Sequence, residues 1–132
     1  MSGGVDSSLI SSIASENLKK IKTFSLIVND RNYSEKKYSD EVSKKLKTNH
    51  HRITIKKSEI LHTIKNISNF YSEPFADSSQ IPSIILSKYT SKHVKVVLTG
   101  DGADEFFGGY NRYFRLKKIW NISNFFPRLF TK

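Results

Sequence analysis

The run Ser2-Gly3-Gly4-Val5-Asp6-Ser7-Ser8, with an amphipathic stretch directly behind it, constrains this chain more than any other feature. A turn of that composition hands a strand over to a helix, which belongs to α/β architecture. Paired glycines let the main chain approach a ligand, so that its N–H groups converge on an anion. A helix starting near Ser7 would aim its unpaired N–H groups and positive dipole end at the same spot. Ser2, Ser7 and Ser8 add hydroxyl donors, while Asp6 has the wrong sign for phosphate and the right one for a bridging magnesium ion. The loop lacks the Gly-Lys-Ser/Thr ending of the common P-loop, so a pyrophosphate leaving group fits it better than transfer of a γ-phosphate. The same residue types are also ordinary turn and N-cap composition.

Periodicity supplies the rest of the outline. Leu9, Ile10, Ile13, Ala14 and Leu18 recur at three- and four-residue intervals and predict a helix over 7–19. Thr23 to Val28 is a β-prone run ended by the polar turn Asn29-Asp30-Arg31-Asn32. Glu35 to Lys47 reads as a second helix with Tyr38, Val42 and Leu46 on one face, and His51 to Ile55 as a strand. Ile60, Leu61, Ile64, Ile67 and Phe70 mark a third helix closed by Pro74. Ile81 to Tyr89 is helical, Lys95 to Leu98 is a strand of nearly continuous aliphatics and therefore buried, and a loop and a last helix follow. This alternation implies a parallel sheet. A loop like Ser2-Gly3-Gly4 is normally delivered by a strand, and Met1 alone precedes it here. The expectation is a partial sheet lacking its first strand, an inner member whose loss exposes backbone on two neighbours. Trp120, Ile122, Phe125, Phe126, Leu129 and Phe130 have little to pack on, which suggests a chain cut short at that end too.

A length of 132 residues suits one domain, and 37% hydrophobic content with no apolar run near 18 residues leaves no membrane span. With no cysteine, any metal must be held by oxygen or histidine. The formal charge of +10 invites nucleic acid as a partner. The lysines, however, fall in scattered pairs (Lys19-Lys20, Lys36-Lys37, Lys44-Lys45, Lys56-Lys57, Lys117-Lys118), as solvated helix faces carry them, so no nucleic acid is expected. No charged-then-apolar leader opens the chain, making the cytoplasm the default expectation. His50 and His51, adjacent at a strand start, point to opposite faces and do not make a joint metal site.

A second loop follows the predicted last strand: Leu98-Thr99-Gly100-Asp101-Gly102-Ala103-Asp104-Glu105-Phe106-Phe107-Gly108-Gly109-Tyr110. In open α/β sheets ligands sit at the carboxyl ends of strands, so both loops should face one crevice. Asp101, Asp104 and Glu105 repel one another unless a cation joins them. Asp6 and Asp104, arriving from two strand ends, would make a magnesium clamp on phosphate oxygens. Glu105 alone reads better as an acidic helix cap, and Tyr110, Tyr113, Phe114 and Trp120 as helix packing.

Taken with Glu73-Pro74-Phe75-Ala76-Asp77-Ser78-Ser79-Gln80-Ile81-Pro82 and Gly108-Gly109-Tyr110-Asn111-Arg112-Tyr113, these two loops resemble the synthetase domain of glutamine-dependent asparagine synthetases. The first motif is shared by all PP-loop ATP pyrophosphatases, and the match runs over about residues 2–113. The resemblance implies an α/β fold of the adenine nucleotide alpha hydrolase-like, PP-loop type, a partial doubly wound parallel sheet. It implies a partial ATP-binding domain over 1–115 and a truncated helical continuation over 116–132. It also implies a reaction: aspartate attacks the α-phosphorus of MgATP, pyrophosphate leaves, and ammonia converts β-aspartyl-adenylate to asparagine and AMP.

By the same resemblance Ser2, Gly3, Gly4, Ser7 and Ser8 hold the pyrophosphate, Asp6 and Asp104 carry magnesium, and the main chain at Met1, Leu26, Thr99 and Gly100 lines the adenosine site. Asp101 stands where the family has an acidic residue facing the reacting centre, with a role in steering ammonia or taking its proton. Asp77, Ser78 and Ser79 border the aspartate pocket or, equally, cap a loop. The family's glutaminase domain, the source of its ammonia, is not in this chain. The expectation is a fragment with little or no synthetase activity, completed by a complementing chain or as a homodimer. The alternatives are a PP-loop tRNA-modifying ligase or sulfur transferase, and a non-enzymatic remnant.

Overall fold

A computed structural model describes residues 1–28, 36–73 and 75–125. The predicted turn Asn29-Asp30-Arg31-Asn32, the closing Pro74 and the end of the tail lie outside them. Two compact units divide the chain, Met1–Thr99 and Gly100–Lys132.

The first unit runs α1 (Val5–Asn17), β1 (Lys22–Val28), α2 (Lys36–Leu46), β2 (Asn49–Ile55), α3 (Lys57–Lys65), a 3-10 turn (Ile67–Asn69) and α4 (Gln80–Thr90). β1 and β2 pair in parallel from Lys22↔Asn49 to Val28↔Ile55, joined by the α2 crossover that a parallel pair requires. Side chains alternate across a strand, so Phe24 and Leu26 share a face with His51, Ile53 and Ile55, and Thr23 and Ser25 share the other with His50. On the first face Phe24, Ile53 and Ile55 are buried, as are Ile84 and Ile85 of α4, which packs against β1. His93, just past α4, stacks on His51 and tilts onto Phe24.

The second face is polar and still buried. Thr23 and Ser25 lie under α2, whose own buried residues are Ser39 and Ser43. The hydroxyls satisfy one another: Thr23 Oγ1 bonds Thr48 Oγ1 at 2.7 Å and His50 Nδ1 at 2.9 Å, and Ser43 Oγ bonds Thr48 Oγ1 at 3.0 Å. Ser25 Oγ closes the set on His50 Nε2 at 2.9 Å. The two histidines do point to opposite faces, His51 stacking on Phe24.

Several expectations need correction. Lys95–Leu98 is no strand, and Val96 and Leu98 are 79% and 69% exposed rather than buried. Aliphatic content makes a strand only where a neighbouring ladder exists, and among the described residues the sheet has just β1 and β2. The apolar stripe of α1 is half-exposed at Leu9 and Ile13, and α2 buries Ser39 and Ser43 while Tyr38 stands in solvent. α3 stops at Lys65 because Asn66 leaves helical angles, its side-chain amide donating back to His62 O, and Ile67 falls in the 3-10 turn.

The second unit carries α5 (Ala103–Phe107) and α6 (Asn111–Phe125). Gly102 and Gly108 flank α5 with φ of 85° and 70°, left-handed angles that bracket so short a helix.

Candidate functional site

The Ser2–Ser8 loop is built as an anion cradle would be. Gly3 takes φ of 90°, and Gly4 is the N-cap of α1, which therefore begins at Val5, two residues earlier than the periodicity predicts. Gly4 makes no side-chain cap, and the positive end of the helix dipole stands behind it. Ser2 Oγ accepts from Gly4 N at 3.0 Å and shares a hydrogen bond of 3.0 Å with Ser7 Oγ, which also accepts from Ser2 N at 3.2 Å. Ser7 Oγ in turn donates to Gly4 O at 3.3 Å. Ser8 Oγ is buried with no partner among the described residues. Asp6 is exposed in the first turn of α1.

The loop is anchored to the sheet edge. The Met1 ammonium donates to Phe24 O. Because Ile21 O accepts from Asn49 N on the β2 side, alternation turns the main chain of Phe24 and Leu26 toward the opposite edge. Met1 therefore bonds β1 at the edge toward which alternation also turns the Leu26 main chain.

Asp77, Ser78 and Ser79 sit elsewhere in the first unit, ahead of α4. Asp77 Oδ1 accepts from Ser79 N at 2.8 Å, and Gln80 Nε2 donates to Phe75 O and Asp77 O. The Ser79 hydrogen bonds hold the exposed Asp77 carboxyl below its ordinary range. Asp77 thus accepts from the backbone two residues on, a local loop contact. Thr99 ends the first unit. Gly100, Asp101 and Asp104 belong to the second, where Gly100 O accepts from Ala103 N at 3.2 Å, Asp101 is exposed and Asp104 is half-buried in the first turn of α5. Tyr110 OH donates to Glu105, which lowers the Glu105 pKa and raises that of Tyr110. Arg112 stacks over the Tyr110 ring at 4.0 Å.

The family model for asparagine synthase matches residues 1–130. The chain belongs to the asparagine synthase family. Among relatives of the family, an asparagine synthetase (glutamine-hydrolysing) of Bacillus subtilis is 38% identical over 113 residues, covering 86% of this chain and 18% of the relative. A putative one of Methanocaldococcus jannaschii is 40% identical over 112 residues, covering 83% and 22%. One of Arabidopsis thaliana is 32% identical over 123 residues, covering 83% and 21%. This member of the family therefore spans about a fifth of the length of those relatives.

Two features of the site escape a reading of the sequence. The hydroxyl and imidazole network around His50 bonds Thr23 and Ser25 of the strand that carries Leu26, and its one sequence signal is the placing of Thr23 and Ser25 on either side of the apolar Phe24. The close packing of Gly109 on Asp104 has no signal beyond the Gly-Gly pair itself.

Proposed function

We propose that this chain forms the ATP-binding part of a glutamine-dependent asparagine synthetase, within a PP-loop fold. The observation that carries the reading is the Ser2–Ser8 loop: two glycines, a helix start whose N-cap is Gly4, and the Ser2 and Ser7 hydroxyls held together beside it. Activation is needed because a carboxylate is a poor electrophile. A β-carboxylate oxygen of aspartate bonds to the α-phosphorus of ATP as the bond to the β-phosphate bridge breaks and pyrophosphate leaves. Ammonia then attacks the acyl carbon, AMP departs, and nitrogen gives up a proton. In this scheme Ser2, Ser7, Ser8 and the N–H groups at the start of α1 hold the leaving pyrophosphate. The main chain at Met1, Leu26, Thr99 and Gly100 receives adenosine, and Asp101 steers ammonia or takes its proton.

Among the described residues no group of three or more acidic, histidine or cysteine side chains could hold a metal ion. That suits magnesium, which takes one or two carboxylates and completes its shell with phosphate oxygens and water. Asp6 and Asp104 are its proposed ligands. When bound, magnesium neutralises phosphate charge. Glutamine-derived ammonia, supplied by a glutaminase domain, completes the proposal, as does a cytoplasmic setting. Among the described residues no helix is long and apolar enough to cross a membrane.

Thermal unfolding of the full chain tests the reading. MgATP at a hundred times its Kd should stabilise by about 2.7 kcal/mol, on the order of several degrees. ATP with EDTA should do much less, and Ser7→Ala should shrink the MgATP shift. An unfolding midpoint indifferent to MgATP would sink the proposal.

A further inference from the structure

We infer that Gly109 is a positioning residue for Asp104, acting through the space its missing side chain leaves for that carboxylate. The inference rests on the proposed role of Asp104 as a magnesium ligand. α5 ends at Gly108, whose left-handed φ of 70° turns the chain back over the helix, and Gly109 N then donates to Asp104 O at 3.1 Å. This return lays the Gly109 α-carbon against the Asp104 side chain. A Cβ on Gly109 would stand 2.0 Å from Asp104 Oδ1 and 3.1 Å from Cγ, far inside contact distance, yet 3.5 Å from the Asp104 Cα. The clash therefore falls on the mobile end of the carboxylate rather than on the backbone.

Two side-chain contacts tie down the strap beyond Gly109. Tyr110 OH donates to Glu105 back on α5, and Arg112 stacks on the Tyr110 ring at 4.0 Å. Of the atoms an added Cβ would meet, the carboxylate end is the cheapest to displace, so the carboxylate turns. Its neighbours differ: at Gly102 a Cβ meets nothing within 4 Å, and at Gly108 only a Tyr113 ring atom at 3.9 Å. Those two glycines serve backbone angle, and Gly109 serves the aim of an acid. Groups that orient a metal ligand typically govern ten- to hundredfold in metal affinity.

The test titrates magnesium at fixed, saturating ATP in the full chain, reading the thermal shift for the unsubstituted protein, Gly109→Ala, Asp104→Asn and the double variant. Gly109→Ala should raise the half-saturating magnesium concentration roughly tenfold or more. It should leave the unfolding midpoint without nucleotide within about a degree, a split that a merely structural role would not produce. The double variant should be no worse than Asp104→Asn, because Gly109 acts through that carboxylate. Additive losses, or a normal magnesium response in Gly109→Ala beside an impaired Asp104→Asn, would overturn the inference alone. A normal response in Asp104→Asn would overturn the ligand role of Asp104, and no magnesium-dependent shift in the unsubstituted chain would overturn the nucleotide reading. The positioning role falls with either.

Discussion

Gly3 and Gly4 stand side by side in the cradle and are glycine for different reasons. Gly3 has φ of 90°, where a side chain costs about 1–3 kcal/mol. The space is closed as well, since a Cβ there would lie 2.6 Å from the backbone carbonyl carbon and Cβ of Tyr38 and 2.7 Å from Ser39 N. The α2 backbone presses on the loop, so Gly3 locks the cradle to α2 rather than merely clearing a path for an anion. Gly4 has an ordinary extended backbone, φ −68° and ψ 167°, and its Cβ would meet nothing but the Ser2 hydroxyl at 3.2 Å. Gly3→Ala should therefore lower the stability of the chain by about 1–3 kcal/mol and remove the MgATP-dependent shift. Gly4→Ala should cost less than about 1 kcal/mol and weaken the shift without removing it. Urea midpoints with and without MgATP separate the two, and equal behaviour would refute the lock.

The β1–α2–β2 unit that carries the cradle was legible in its elements and obscure in its packing. Thr23 and Ser25 alternate with the apolar Phe24 and Leu26, and across the strand pair their face is shared with His50. That face is buried, because the hydroxyls and the imidazole are one another's partners and carry little unpaired cost. Small side chains at Ser39 and Ser43 then let α2 lie close to the sheet. In this unit the two strands and the helix between them followed from composition and period, with β2 starting at Asn49 rather than His51, whereas the mutual satisfaction is invisible until β2 is set beside β1. It also makes the pair sensitive to pH. Burial, with Arg52 and the N-terminal amine adding repulsion and Asp40 opposing it, pushes the His50 pKa below its ordinary value. The unfolded chain then binds more protons in that range, so the contribution is full above the unfolded pKa of about 6.5 and is lost as pH falls through the folded one. Urea midpoints should fall between pH 7 and pH 5, by no more than about 1.4 kcal/mol per pH unit from this one proton. His50→Gln, which can accept and donate but not titrate, should flatten that slope, and an unchanged slope would remove His50 as its cause.

At the scale of the whole molecule, charge and site make competing claims on the same ligand. The chain carries a formal +10, which draws any polyanion, ATP and RNA alike, through a field that salt screens. The proposed cradle makes a narrower claim: the N–H groups at the start of α1 and the Ser2 and Ser7 hydroxyls would converge on one anion of pyrophosphate shape. The family was readable from the two loops as motifs because glycine, serine and aspartate there answer to local geometry. The Val96–Leu98 run was misread because a strand is a property of its neighbours as much as of its own residues. Site and field part company under salt. At matched ionic strength near 0.2 M, magnesium pyrophosphate should stabilise the chain more than AMP or sulfate at equal concentration, and should compete with MgATP. Ser2→Ala and Ser7→Ala, which leave the charge at +10, should reduce the pyrophosphate effect several-fold. RNA binding, if it is field alone, should weaken steeply with salt and be blind to both serines. Stabilisation that tracks ligand charge and ignores the serines would assign the effect to the field and leave the cradle without a ligand.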